Sequence, residues 1–185
     1  NFGKMIFLSA GHNNGGIKSD SGAVGNGRRE ADLTVEFRNL VLDQLKAKNA
    51  PFISDNDTET LGQYLKRAET GNGSVVLEFH FDASTNSKAT GATVLVGVDA
   101  DDNDKAFARD ILYATVSTFG IKNRGVLSEA DSHRGRLGLM REKGIVALLE
   151  LCFISNPDDL KAYDANKEVL AGKIADILIK YDALI

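Results

Sequence analysis

The sequence predicts an α/β domain: a single domain built on one twisted, mostly parallel sheet of about six strands, with helices on both faces. Three observations predict it. KMIFLSAGH, SVVLEFH and GIVALLE are near-continuous apolar runs, and strands without polar alternation are those buried on both sides, as in sheets sandwiched by helices. Strand-like and helix-like patterns alternate along the chain. The chain has 185 residues, 43% of them apolar, enough for one hydrophobic core and little more, so 1–185 reads as one domain.

In chain order, 4–10 reads as the first strand. Residues 11–29 are rich in Gly, Asn and Ser and read as a long structured loop, of the kind that commonly carries function. Residues 30–48 place Leu33, Phe37, Leu40, Val41 and Leu45 on one helical face. Pro51 leads into a short strand at 51–54. Residues 58–71 read as a helix with Thr58 as cap and Gly71 as stop. Strands follow at 74–80 and 92–98, separated by a polar loop. After the acidic turn at 99–104, residues 105–119 form a helix with Phe107, Ile111, Leu112 and Val116 inward. Residues 121–127 and 135–141 read as short extended pieces, and 144–150 as the last core strand. Pro157 starts a short helix, and 167–181 is a separate closing helix.

Composition removes several classes of function. A net charge of -4 and no Lys/Arg run argue against a nucleic-acid groove or an anionic membrane surface. No stretch reaches the ~20 apolar residues of a membrane span. The segment NFGKMIFLSAGH has no secretory-leader pattern, because its one short apolar run leads straight into the core. Cys152 is the lone cysteine and sits in an apolar run, as a small buried hydrophobe. GAVGNG has neither dinucleotide nor Walker spacing. Asp99, Asp101 and Asn103 have calcium-loop spacing, but Asp104 stands where such a loop needs Gly. The acidic turn therefore reads as solvated.

The three apolar runs end at His12, His80 and Glu150. In open α/β sheets, functional residues gather past the carboxyl ends of the strands, so two imidazoles and a carboxylate are expected on one rim. Glu30, a second acid, opens a long helix after the glycine-rich loop. Two His and one Glu make a catalytic zinc set with an open position for water, and a further Glu would serve as general base. Glu150 lies between GIVALL and LCFI, where an unpaired carboxylate is costly and usually has a metal, a base or a catalytic role. Glu78, two residues before His80, shares its strand face. It either orients the imidazole or faces solvent.

These residues, in this order, resemble the zinc-dependent N-acetylmuramoyl-L-alanine amidases, a group that includes bacterial cell-separation amidases and phage endolysins. The family opens with a strand, a Gly-His, a Gly-rich loop and a Glu at a helix start; here these are LSAGH and GGIKSDSGAVGNGRRE. Its strand ending in a Ser-x-His-x-Asn-Ala-like motif is matched by EFHFDAS, and its Glu strand followed by Phe-x-Ser-Asn by ALLELCFISNPDDL. The resemblance runs from about residue 5 to 182. It implies that His12, Glu30 and His80 bind one Zn²⁺ and that Glu150 is the catalytic carboxylate. The substrate implied is peptidoglycan, cut between the lactyl group of N-acetylmuramic acid and L-alanine of the stem peptide. The expected setting is the cell wall, reached by secretion or phage release, and the expected state is a monomer. Where the family has glycines after the first His, this chain has Asn13 and Asn14. Glu78 replaces a Ser and Asp82 an Asn. Asn14, Asp82, His133 and Arg141 are candidate substrate contacts.

The chemistry implied is direct. Zinc lowers the pKa of a bound water and polarises the amide carbonyl, while Glu150 takes the water's proton and delivers it to the leaving amine. Two rival readings share the residues: a module that grips peptidoglycan without cutting, and a zinc peptidase acting within the stem peptide.

Overall fold

The apolar runs pair side by side in the computed structural model, which describes residues 5–12 and 20–185. The elements are β1 (Met5–Ala10), β2 (Val24–Gly25), β3 (Arg28–Arg29), α1 (Glu30–Ala47), β4 (Phe52–Ser54), α2 (Leu61–Arg67), β5 (Ser74–Asp82) and β6 (Ala92–Val96). They continue with α3 (Asp102–Phe119), β7 (Asn123–Ser128), β8 (Ile145–Phe153) and α4 (Pro157–Leu184). Six strands form one sheet in the order β4-β1-β5-β8-β6-β7, and β6 runs antiparallel to β8 while the other pairings are parallel. The carboxyl ends of β4, β1, β5 and β8 therefore share a rim with the amino ends of β6 and β7.

Alternation along the strands sorts the two faces. Leu77, Phe79 and Phe81 of β5, and Ile145, Ala147, Leu149 and Leu151 of β8, join the large core beneath α1, α3 and α4. Phe79 and Phe81 meet Phe37 and Tyr163 edge-on, with ring centroids 5.0 and 5.1 Å apart. The opposite face is apolar at its lower end, where Phe7, Val76, Val146 and Leu148 pack with Tyr64 of α2 and with Leu139. Towards the rim the same face turns polar: Ser9, Glu78, His80, Asp82 and Glu150, all buried. Helices cover both faces, as the sequence predicts, but unequally.

Several boundaries differ from the sequence reading. Thr60, not Thr58, caps α2, because Gln63 completes a capping box with it while Thr58 bonds Asn56. The acidic turn at 99–104 is taken into α3, where Asp101 and Asp104 form the N-terminal capping box. The two helices expected after residue 157 are one continuous helix, which Asn156 caps by accepting from Asp158 and Asp159 N–H. Residues 138–141 form a single 3₁₀ turn rather than an extended piece. The long loop holds a small hairpin of β2 and β3. Asn26 and Gly27 both adopt positive φ, 51° and 74°, at its tip, and Asn-Gly is the strongest short hairpin signal.

Candidate metal centre

His12 lies two residues beyond β1 and carries a left-handed backbone, φ 61°, a conformation uncommon outside glycine and several-fold enriched in histidine. Glu30 is the first residue of α1, and it is held there by the hairpin. Its Oε1 accepts from Ala23 N–H at 3.0 Å and its Oε2 from Phe81 N–H at 2.9 Å. His80 and Glu150 are register partners on the adjacent strands β5 and β8. Both strands continue past them, to Asp82 and Phe153, so these residues project from strand faces near the rim rather than from strand ends.

One nitrogen of each imidazole turns to Glu30. His12 Nε2 is 3.4 Å from Oε1 and His80 Nδ1 is 3.2 Å from Oε2. The other nitrogen of each is held by a second carboxylate: His12 Nδ1 lies 2.7 Å from Asp20 Oδ2, and His80 Nε2 lies 2.8 Å from Glu78 Oε2. Glu78 is fixed in turn by the Ser9 hydroxyl, which donates to Oε1 at 2.7 Å. One candidate ligand atom from each of His12, Glu30 and His80 lies within 4.8 Å of the others. Two imidazoles whose far nitrogens donate to carboxylates are oriented and made more basic towards a metal.

Two glycines let this set come together. A side chain at Gly11 would collide with the His80 ring. One at Gly22, φ 63°, would sit 2.7 Å from both Glu30 Oε1 and the His12 ring. The charges also fit a cation. Burial opposes a charge on His80, yet the hydrogen bonds to Glu30 and Glu78 prevail and push its pKa up to about 9. Glu30 and Glu78 stay below the usual carboxylate range despite burial, chiefly through His80. Two His and one Glu are the donor types of catalytic zinc sites with an open position.

Next to this set, Glu150 is 1% exposed. Its Oε1 accepts from Arg134 Nε at 2.8 Å. Its Oε2 has no hydrogen-bond donor and lies 3.8 Å from Arg124 Nη1, which itself bonds Asp82 Oδ2 at 2.9 Å. Burial first, then the neighbouring Asp82 carboxylate, push Glu150 up to about 7, against the pull of Arg134. The Asp82 carboxylate thus opposes ionisation of Glu150, and Arg134 favours it.

The expected residues are unevenly placed. His12, Glu30, His80, Glu150, Glu78 and Asp82 come together. Asn14 lies outside the described residues. His133 is exposed, and it is its neighbour Arg134 that reaches Glu150 and approaches Glu30, at 3.9 Å. Arg141 pairs with buried Glu129, whose Oε2 also accepts from Val98 N–H. Thr93 is the register partner of Glu150, and Val98 lies five residues further along, about 16 Å away at strand rise. Arg141 therefore belongs to the opposite end of the sheet. Arg134, Arg124 and Asp20 were missed. Asp20 sits in the long loop with nothing local to mark it. Arg134 and Arg124 arrive from segments remote in sequence.

The family profile described as N-acetylmuramoyl-L-alanine amidase (Amidase_3) matches residues 6–180. The uncharacterized protein YqiI of Bacillus subtilis is 31% identical over 180 residues, covering 96% of this chain and 82% of that one. The N-acetylmuramoyl-L-alanine amidase LytC of Bacillus subtilis is 28% identical over 161 residues, 85% of this chain but only 31% of LytC. Among solved structures, an N-acetylmuramoyl-L-alanine amidase from Clostridium difficile 630 shares the fold. Its TM-score is 0.77 at 20% identity, covering 98% of this chain and 97% of that one.

Proposed function

We propose, from the premise that this chain belongs to the N-acetylmuramoyl-L-alanine amidase family, that His12, Glu30 and His80 hold a zinc ion and that Glu150 is the general base. The family makes the chain a peptidoglycan amidase acting on the cell wall, and among the described residues no helix is long and apolar enough to cross a membrane. The observation that carries the site assignment is the orientation of the two imidazoles. Each gives one nitrogen to a carboxylate and turns the other towards Glu30.

Bound zinc supplies an electrophile for the amide carbonyl and acidifies a water molecule. Glu150, one strand from His80, takes the proton of the attacking water. The C–N bond between the lactyl carbonyl and the alanine nitrogen breaks, and Glu150 returns the proton to that nitrogen. The products are a lactyl carboxylate and a free stem-peptide amine. Arg134 holds Glu150 in place through Nε and favours its ionised form, while Arg124 neutralises Asp82. Glu78 and Asp20 fix the imidazole rings.

The test is metal content by elemental analysis, paired with mass analysis of digested peptidoglycan before and after chelation. The expected result is about one zinc per chain, with intact stem peptides released, release abolished by chelator and restored by Zn²⁺. Shortened peptides would make the enzyme a peptidase, and wall binding without release an inactive module.

The base needs its ionised form, so cleavage falls as pH drops through the Glu150 pKa. That value is about 7 without a metal ion, and a nearby dication favours the carboxylate and lowers it. The acid limb of kcat/KM is therefore expected at or below about 7, and removing Arg134 (Arg134→Gln) should move it upward. A profile flat down to pH 4 would refute the assignment.

A further inference from the structure

The Arg134 guanidinium lies between the candidate base and a candidate metal ligand. Its Nε donates to Glu150 Oε1 at 2.8 Å, and its Nη2 stands 3.9 Å from Glu30 Oε2, beyond hydrogen-bond reach. An arginine carries five N–H donors in a rigid planar fork. Among the described residues, only the Nε donor of Arg134 is hydrogen-bonded, and the side chain keeps 17% of its surface exposed. Its terminal nitrogens are therefore free to meet a bound group. Arg124, the other arginine near Glu150, is committed elsewhere. It bonds Asp82 at 2.9 Å and lies over the Phe153 ring, 4.5 Å from its centroid.

The segment that carries Arg134 is tied down on both sides. Arg134 N–H donates to Ser132 Oγ at 3.3 Å, and that hydroxyl donates to Glu129 O at 2.8 Å. Beyond it, Leu137 N–H donates to Oε1 of the same Glu129, which is fully buried. The guanidinium is thus presented on a braced turn. Its charge is also fixed. Burial opposes it, but the hydrogen bond to Glu150 and the charges of Glu150, Glu30 and Asp82 prevail. A permanent cation this close to Glu30 repels any metal ion that Glu30 binds. That repulsion has a use where negative charge develops between the base and the metal.

We infer that Arg134 is a catalytic residue, whose terminal N–H groups stabilise the charge that develops on the lactyl carbonyl oxygen. As the water oxygen bonds to the carbonyl carbon, one water proton passes to Glu150 and the π pair moves onto the carbonyl oxygen. Arg134 donates hydrogen bonds to that oxygen and keeps its own protons. When the C–N bond breaks, the π bond re-forms, the proton on Glu150 goes to the nitrogen, and the new carboxylic acid loses its proton to solvent. Donors held ready for such an oxygen act only as its charge appears. The inference rests on the amidase reading for the reaction, and it gives Arg134 a second role besides holding Glu150 through Nε.

The test separates charge stabilisation from the holding of Glu150 by working in a Glu150→Gln background, where no base is left to hold. That background also removes the buried charge that loss of Arg134 would otherwise leave unpaired. Two ligands are titrated by calorimetry into the zinc-loaded protein. One is N-acetylmuramoyl-L-alanyl-D-isoglutamine, and the other is its analogue with a phosphinate in place of the scissile amide. Adding Arg134→Gln should weaken the phosphinate about 10- to 100-fold, as loss of a charge-assisted hydrogen bond does, and should change the amide ligand little. Arg134→Lys keeps the charge without the fork and should retain part of the phosphinate affinity. Chelator competition should show zinc held by Arg134→Gln at least as tightly as by the wild type. A residue that only supported the fold would weaken zinc and both ligands together. That result, or a phosphinate affinity indifferent to Arg134, overturns the inference and leaves the amidase reading standing. If neither ligand binds even with Arg134 present, the amidase reading fails and the inference with it.

Discussion

Glu150→Gln is expected to slow amide cleavage roughly a hundred- to ten-thousand-fold, the range for loss of a general base, while zinc stays bound. The substitution preserves volume, and its amide oxygen can still accept from Arg134 Nε, which now lies 2.8 Å from Glu150 Oε1. What it removes is basicity. The carboxylate oxygen available for a proton is Oε2, which has no donor facing it. A purely structural Glu150 predicts something else: a drop in melting temperature, since Arg134 and Arg124 would lose a counter-charge, with catalysis impaired only in proportion to unfolding. Rate, zinc content and melting temperature measured on the same preparation separate the two. An undiminished rate in the folded, zinc-loaded variant would remove Glu150 from the mechanism.

The second large effect concerns the metal. Glu78→Ala should weaken zinc binding by about 10- to 100-fold, the usual consequence of losing a carboxylate that orients a ligating histidine. Glu78 bridges Ser9 and His80 while almost fully buried, 4% exposed. Without it, no described residue holds Nε2 of the His80 ring, and the ring can turn its Nδ1 away from Glu30. Glu78→Gln keeps a hydrogen-bonding oxygen near Nε2 without the charge, so it should fall between wild type and Ala. Ser9→Ala, which frees Glu78 Oε1, should cost less than either. Competition against a chromophoric chelator reads the affinity directly. Wild-type affinity in Glu78→Ala would mean that the carboxylate serves packing alone.

Much of this is legible in the sequence itself. In the sequence EFHFD, the two phenylalanines alternate with Glu78, His80 and Asp82, and strand geometry alone puts the aromatics on one face and the polar groups on the other. The structure realises that split, with Phe79 and Phe81 in the core and the three polar groups at the rim. An acid inside GIVALLELCFI similarly signals a chemical role, since a buried carboxylate without one is destabilising. The hairpin at Asn26 and Gly27 is equally signalled by the Asn-Gly pair, although the Gly, Asn and Ser residues around it give the whole stretch a loop composition. By contrast, the fusion of two expected helices into α4 had no local marker.

The sequence by itself determined the core strands, the amphipathic helices α1 and α3, the polar face near the rim, and the residue types able to hold a metal, because periodicity and burial are local or nearly local properties. Only the tertiary structure decided which side chains meet. Arg134 sits 16 residues before Glu150, and Arg124 is 42 residues from Asp82, so their partnerships depend on how a loop and an edge strand return to the rim. The same holds for the choice between His133 and Arg134, adjacent in sequence, of which one is exposed and the other touches Glu150. The placement of Arg141 at the far end of the sheet follows from β6 running antiparallel to β8. The physical reason is common to all three cases. Electrostatic pairing is set by distances of a few ångströms between segments whose separation along the chain carries no information about their separation in space.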